Sequence, residues 1–443
     1  MKKELLLIIF LIVLLTGCSL VSKNPHREIQ NKSFTGIIVE KSKDAIVIID
    51  ENQKIYTFST EQCGKEYLDE ANIGNKAQVT YKIINDINYV VKVNILNNEE
   101  ENSLANGIFK DYYEIASQKL KTLTLEEKVG QLFLARAPKE NQIEDIKRYH
   151  LGGYVLFARD FKNKSKDEVI NMIQSYQNAS SISMIIAVDE EGGTVNRIST
   201  NKKLRDEPFL SSQNLYNNGG FERIKEDTIE KSNLLRSLGI NLNLAPVADI
   251  SINKEDYIFN RSFGQDANLT SKYIETVIRA SKETSVSYCL KHFPGYGNNI
   301  DTHNGISIDN RSFLTFETED FLPFKAGIKD GAEAILVSHN ITKVIENMPS
   351  SLSARIHEIL RNELKFSGII ITDDLAMDAI KNYITTSPSV SALKAGNDMF
   401  IITDYKTGYN DILLAIQNNE IKEQDIDKAV LRILEWKYAK GLL

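Results

Sequence analysis

From about residue 105 onward, short apolar runs alternate with longer stretches in which apolar residues return every three or four positions. The runs 132–135, 154–158, 184–188, 242–247, 286–290, 334–337, 368–372 and 399–403 read as buried strands. Between them, 166–179, 225–238, 270–284 and 354–364 have helical spacing, and some end near glycine, as at Leu238-Gly239. Eight such repeats predict an α/β fold, a (β/α)8 TIM-type barrel; an open doubly wound sheet has the same periodicity and stays open on pattern alone. Upstream the period changes. Residues 34–39, 45–49, 54–58, 77–84 and 89–95 are β-branched runs separated by turn signals such as Asp50-Glu51-Asn52-Gln53 and Asn85-Asp86. They predict a small all-β barrel or sandwich over 34–96, ahead of an acidic polar linker at 97–106 and a barrel over 107–443. Its role, whether polymer binding, protein contact or spacing from a membrane, is not legible, and a spacer or packing partner is the plainer expectation.

The first residues follow a third pattern. Lys2 and Lys3 precede the apolar run Leu5 to Leu15, which is too short for a comfortable membrane span and has the layout of a secretory signal. Leu15-Thr16-Gly17-Cys18 resembles the bacterial lipobox. That resemblance implies a signal peptide over 1–17, lipidation at Cys18, a polar tether over 18–33, and an extracytoplasmic protein anchored to the bacterial cell membrane. The alternatives are a plain signal peptide or an uncleaved anchor. Composition bounds the rest. Of 443 residues, 42% are hydrophobic and 26% charged, which fits a globular protein and excludes disorder or a multi-span membrane protein. Lys+Arg of 53 against Asp+Glu of 60 gives a net charge of −7, which argues against a general nucleic-acid partner. Three cysteines, Cys18, Cys63 and Cys289, are too few for a disulfide scaffold or a four-thiolate metal site.

Polar residues favour the closed barrel. Asp189-Glu190-Glu191 follows the third predicted strand, Asp249 the fourth, Lys291-His292 the fifth, Ser338-His339 the sixth and Asp373-Asp374 the seventh. The C-terminal strand ends form the face where a barrel carries its chemistry, and ionisable groups gathered there for stability alone would be costly. Asp373, at the end of a β-branched strand, has the fixed backbone a nucleophilic carboxylate needs; Asp374 is the alternative, with a structural role as loop acceptor or helix cap expected for it. Asp301 and His303 stand two apart on a Gly-rich segment, where a carboxylate on one imidazole nitrogen would leave the other for proton transfer. Lys291 and His292 are expected on the rim, holding hydroxyls and keeping Asp373 ionised. His339 is expected to be a satisfied strand-end histidine, and Trp436 to be packing.

These segments together resemble glycoside hydrolase family 3, in its branch of exo-acting β-N-acetylhexosaminidases, over about residues 115 to 440. The resemblance rests on Val188-Asp189-Glu190-Glu191-Gly192-Gly193 with Arg197, Asn243 to Asp249, Arg261-Ser262-Phe263-Gly264, Lys291-His292-Phe293-Pro294-Gly295 with Asp301-Thr302-His303, Thr372-Asp373-Asp374-Leu375-Ala376-Met377, and Ala395 to Met399. It implies that Asp373 attacks the anomeric carbon and that His303, oriented by Asp301, is the acid/base. It also implies that Asp189, Arg197, Arg261, Lys291 and His292 grip the terminal N-acetylglucosamine, with retention of configuration and neither metal nor organic cofactor. Departures from the branch are Tyr296 for a second histidine, Asn298-Asn299 for Asp-Thr, Glu190 for Gln and Thr194 for a common Arg.

The reading that follows is a retaining exo-β-N-acetylglucosaminidase acting on amino-sugar oligosaccharides or muropeptides, as a monomer. Two alternatives remain at this stage: a phosphorylase on the same scaffold, and a non-catalytic glycan-binding lipoprotein. A metal-dependent hydrolase using His292, His303 and His339 with Asp373 is a weaker rival, because no metal-ligand spacing is clear.

Overall fold

A computed structural model describes residues 31–61, 63–64, 68, 71–96, 104–300, 305–381 and 383–443. The expected signal peptide with Cys18, most of the tether, and Asp301 with His303 lie outside the described residues. Among those described, no helix is long and apolar enough to cross a membrane.

The N-terminal strands β1 (Lys32–Lys41), β2 (Ala45–Ile49), β3 (Ile55–Ser59), β4 (Lys76–Ile84) and β5 (Ile87–Ile95) close into a small barrel in the order β1-β2-β3-β5-β4. All neighbours are antiparallel except β3 and β5, which pair in parallel at Ser59 and Tyr89. That is a five-stranded Greek-key barrel of the OB type. Ile38, Ile46, Ile48, Phe58, Val79 and Val90 fill it. A bulge between Ile38 and Glu40 inserts Val39 into β1, and the extra residue turns its side chain outward without exposing it. Val39 and Ile49 join the apolar cluster of the large barrel instead.

Strands β6 (Phe133–Arg136), β7 (Gly153–Leu156), β8 (Ile185–Val188), β9 (Leu242–Asn243) and β10 (Ser287–Phe293) begin the large barrel. A two-residue strand β11 (Ile308–Asp309) stands outside it, and β12 (Ala334–Val337), β13 (Ile341–Thr342), β14 (Ile369–Thr372) and β15 (Met399–Ile402) follow. The barrel closes as β10-β12-β14-β15-β6-β7-β8-β9 with every described pairing parallel, which settles the choice between barrel and open sheet. β7, β8, β12, β14 and β15 are buried at every position, because the barrel interior covers one face and helices the other. Capping boxes at Thr124 with Glu127 and at Ser165 with Glu168 start helices Leu125–Gln131 and Lys166–Ala179.

Three elements depart locally from the expected ones. The regular fourth strand is Leu242–Asn243 rather than 242–247, but bonding to its neighbours continues past it: the Leu244 N–H donates to Val188 O at 2.8 Å, Ala245 O accepts from the Cys289 N–H at 2.9 Å, and Val247 bridges Lys291, with Pro246 supplying no N–H between them. The helix expected over 225–238 is the second half of Ser212–Ser237, which breaks at Gly219 and Gly220. The helix expected over 354–364 runs as Ala354–Glu358 and then widens into a π-helical turn at Ile359–Glu363. Beyond the barrel, β11 and β13 pair in parallel over the mouth, Ile308 opposite Ile341. These two strands carry no pattern signal of their own.

Candidate active site

At the C-terminal ends of β8 to β10, a chain of charges crosses the mouth. Lys291 is fully buried and its Nζ lies 2.7 Å from Asp189 Oδ1 and 2.6 Å from Glu191 Oε1. Arg261 grips Glu191 from the other side with two bonds, Nη2 to Oε1 at 2.7 Å and Nε to Oε2 at 3.1 Å. Burial disfavours a charge on Glu191, but Arg261 and Lys291 outweigh it and hold its carboxyl well below the usual range. Burial likewise opposes the Lys291 charge, and Asp189 and Glu191 overcome it, so its pKa is raised. Both ions therefore stay charged at neutral pH. Arg197 reaches Asp189 at 3.9 Å.

His292 continues the chain. Its Nδ1 is 2.6 Å from Asp249 Oδ2, and its backbone N–H donates to the same oxygen at 3.2 Å. A carboxylate only accepts, so Nδ1 carries the proton; Nε2 then offers its lone pair to Arg261 Nη2, 3.3 Å away. The other Asp249 oxygen accepts from the Tyr296 N–H at 2.8 Å. The Tyr296 side chain is buried, its ring edge against His292 at 5.5 Å and in an apolar cluster with Val247 and Ile258. Lys291 and His292 thus bond Asp189, Glu191 and Asp249 directly.

Asp373 follows β14, two places round the ring from β10, with its N–H bonded to Val337 O at 3.0 Å and one carboxylate oxygen accepting from the Asp374 N–H at 2.8 Å. Asp374 acts locally: it accepts from the Ala376 N–H at 2.9 Å, and burial, reinforced by Asp373, pushes its carboxyl upward. His339 bonds Ser351 Oγ at 2.8 Å and Asp374 O at 2.9 Å, so both ring nitrogens are engaged. Arg136, at the end of β6, lies over the Phe157 ring at 4.2 Å.

Glu191 and Asp249, which the sequence places at strand ends without an individual role, organise this network. Their position at strand ends was the available signal; the two-residue spacing from Asp189 to Glu191 puts both carboxylates within reach of one lysine. Among the described residues, no group of three or more His, Cys, Asp or Glu side chains is arranged to hold a metal ion.

An eight-stranded parallel barrel with paired ions and a strand-end aspartate at its mouth is the frame of a barrel enzyme. The family model described as "Glycosyl hydrolase family 3 N terminal domain" matches residues 124–436, and the chain belongs to this family. It is similar to proteins named beta-hexosaminidase, one from Xylella fastidiosa (29% identical over 272 residues, covering 60% of this chain and 80% of the relative) and one from Stenotrophomonas maltophilia (31% over 259 residues, covering 57% and 76%). Among solved structures, a glycoside hydrolase family 3 beta-N-acetylglucosaminidase from Paenibacillus sp. superposes with a TM-score of 0.68 at 28% identity, over 72% of this chain and 63% of that one. This chain therefore spans less than two thirds of the Paenibacillus structure.

Proposed function

We propose that the protein is a retaining exo-β-N-acetylglucosaminidase that removes terminal N-acetylglucosamine from peptidoglycan fragments or related amino-sugar oligosaccharides. The observation that carries this reading is the Asp189–Lys291–Glu191–Arg261–His292–Asp249 network, at the same barrel mouth as Asp373, whose strand lies two places round the ring from β10. Such a fixed set of donors and acceptors suits several sugar hydroxyls at once, as an exo-acting pocket requires. The names of the relatives support the amino-sugar class.

In this mechanism Asp373 attacks the anomeric carbon while protonated His303, oriented by Asp301, gives its proton to the departing glycosidic oxygen; the C–O bond breaks and a glycosyl-Asp373 ester forms. Neutral His303 then takes a proton from water, whose oxygen attacks the same carbon and releases Asp373. Two inversions give retention. Asp189, Arg197, Arg261, Lys291 and His292 hold the sugar in this account. The lipobox at Cys18 supports attachment to the outer face of the membrane, close to wall glycans.

The test is release of chromophore from an aryl β-N-acetylglucosaminide by residues 19–443. Asp373→Asn should lose at least about 10³-fold in kcat, on the scale that removal of a nucleophile costs elsewhere. Product analysis with phosphate present separates hydrolysis from phosphorolysis. Sugar binding without turnover in the unaltered protein would reject the enzymatic reading.

A further inference from the structure

Next to the proposed acid/base segment is a second buried ionic cluster that the charge network of the mouth does not use. Asp309, in β11, and Asp320 are each 2% exposed, and Arg311 lies between them. Its guanidinium bonds Asp309 through Nε (3.0 Å) and Nη2 (2.8 Å), and Asp320 through Nη1 (2.8 Å). Its ring-facing side covers Phe316 at 4.5 Å, and Nη2 lies 3.5 Å from Gly295 O.

The outgoing limb of the loop is built against this cluster. A β-carbon on Gly295 would sit 2.2 Å from Asp320 Oδ1, and one on Gly297 would sit 2.4 Å from Arg311 Cζ. Both glycines have positive φ, 130° and 53°, so these positions admit neither a side chain nor its usual backbone. Asn299 closes the base: its Nδ2 donates to Asp309 Oδ2 at 2.7 Å and to Tyr296 O at 2.8 Å. Residue 299 leaves toward 301–303 and residue 309 returns from it, and one carboxylate holds both.

We propose that Arg311, with Asn299, Asp309 and Asp320, is the positioning clamp of the acid/base segment: it fixes where that segment leaves and re-enters the barrel mouth, and through it the reach of His303 to the leaving oxygen. The four residues are positioning residues, and the inference rests on the His303 assignment above. Misplacement of about 1 Å costs an acid/base on the order of 10²-fold.

The experiment compares Arg311→Lys, Asn299→Ala and His303→Ala on two substrates, N,N′-diacetylchitobiose, whose leaving sugar needs a proton, and 2,4-dinitrophenyl β-N-acetylglucosaminide, whose leaving group does not. For both clamp variants kcat/KM on the disaccharide should fall roughly 10²-fold or somewhat less, while kcat/KM on the dinitrophenyl substrate stays within about twofold. The dinitrophenyl kcat, limited by base-assisted hydrolysis of the glycosyl ester, should fall in both clamp variants, and azide, which attacks without a general base, should restore it and yield the glycosyl azide. Should Arg311→Lys fail to fold, Asn299→Ala carries the same readout. An equal loss on both substrates, or none on either, overturns the clamp. Failure of His303→Ala itself to discriminate the substrates would instead overturn the acid/base assignment, so the two failures are distinguishable.

Discussion

Glu190 and Glu191 are adjacent in sequence and do opposite work. Glu190, fully buried, accepts the backbone N–H groups of Arg197 and Ile198 at 2.7 Å and of Ser199 at 3.2 Å, together with the Ser199 hydroxyl. Four donors suit a carboxylate, which explains the replacement of the family's glutamine, whose amide would turn hydrogens toward hydrogens. Glu191 instead balances two cations. Its folded pKa lies below the unfolded value, so its contribution to stability is present above about pH 4.5 and is lost as pH falls. Glu191→Gln should leave Lys291 and Arg261 facing each other, costing about 3–5 kcal/mol at pH 7. Urea unfolding at pH 7 and pH 3.5 checks this: the deficit should shrink at the acid end, and a deficit independent of pH would show that the ion pairs are not its source.

The helix Glu423–Ala439 closes the barrel from below with Trp436, whose Nε1 donates to Ser287 Oγ at 3.1 Å, and with Lys437, whose Nζ donates to Gln131 Oε1 at 2.6 Å. Burial alone pushes the Lys437 ammonium down to about 7 from an ordinary 10.5. Between those values the unfolded chain binds a proton that the folded one lacks, so stability rises with pH across that window. Lys437→Met should remove up to about 1.36 kcal/mol of that rise per pH unit; thermal unfolding at pH 7 and pH 9.5 measures it, and an unchanged slope would mean the amine stays charged in the fold. The lysine was invisible as a buried group in the sequence, because a charged residue on an amphipathic helix reads as solvated. Elements with a strong signal were legible: the helix Lys166–Ala179 and strands β2 and β12 have the expected bounds, since a capping box or a fully apolar run defines each. Elements fixed by contacts distant in sequence were not. β11 and β13 exist only because two mouth loops meet, and the Arg311 cluster depends on that meeting. The strand-end positions of Asp189, Lys291, His292 and Asp373 followed from the repeat itself, whereas the partner of each side chain needed the ring order.

At the scale of the molecule, the small barrel is seated on the large one through a mixed face. Ile37, Val39, Val47 and Ile49 lie in the same apolar cluster as Ile356 and Ile359, Arg355 donates to Ile73 O at 2.8 Å, and the Lys76 N–H donates to Glu363 at 3.1 Å. β1 also lies against Phe313–Thr315, which begins two residues after Arg311. The seat is therefore on the helices Ala354–Glu358 and Phe313–Thr315, away from the Asp189–Lys291 network. Val39→Lys places an unpaired ammonium in this face and forfeits roughly 1.5–3 kcal/mol of side-chain burial. The small barrel keeps its own core of Ile38, Ile46, Ile48 and Phe58, so the variant should undock without unfolding. Amide hydrogen exchange should then speed up in Arg355–Glu363 and Phe313–Thr315 while the central barrel strands stay protected, and kcat/KM on the dinitrophenyl substrate should hold. Unchanged exchange in both helices would mean that this face does not carry the docking.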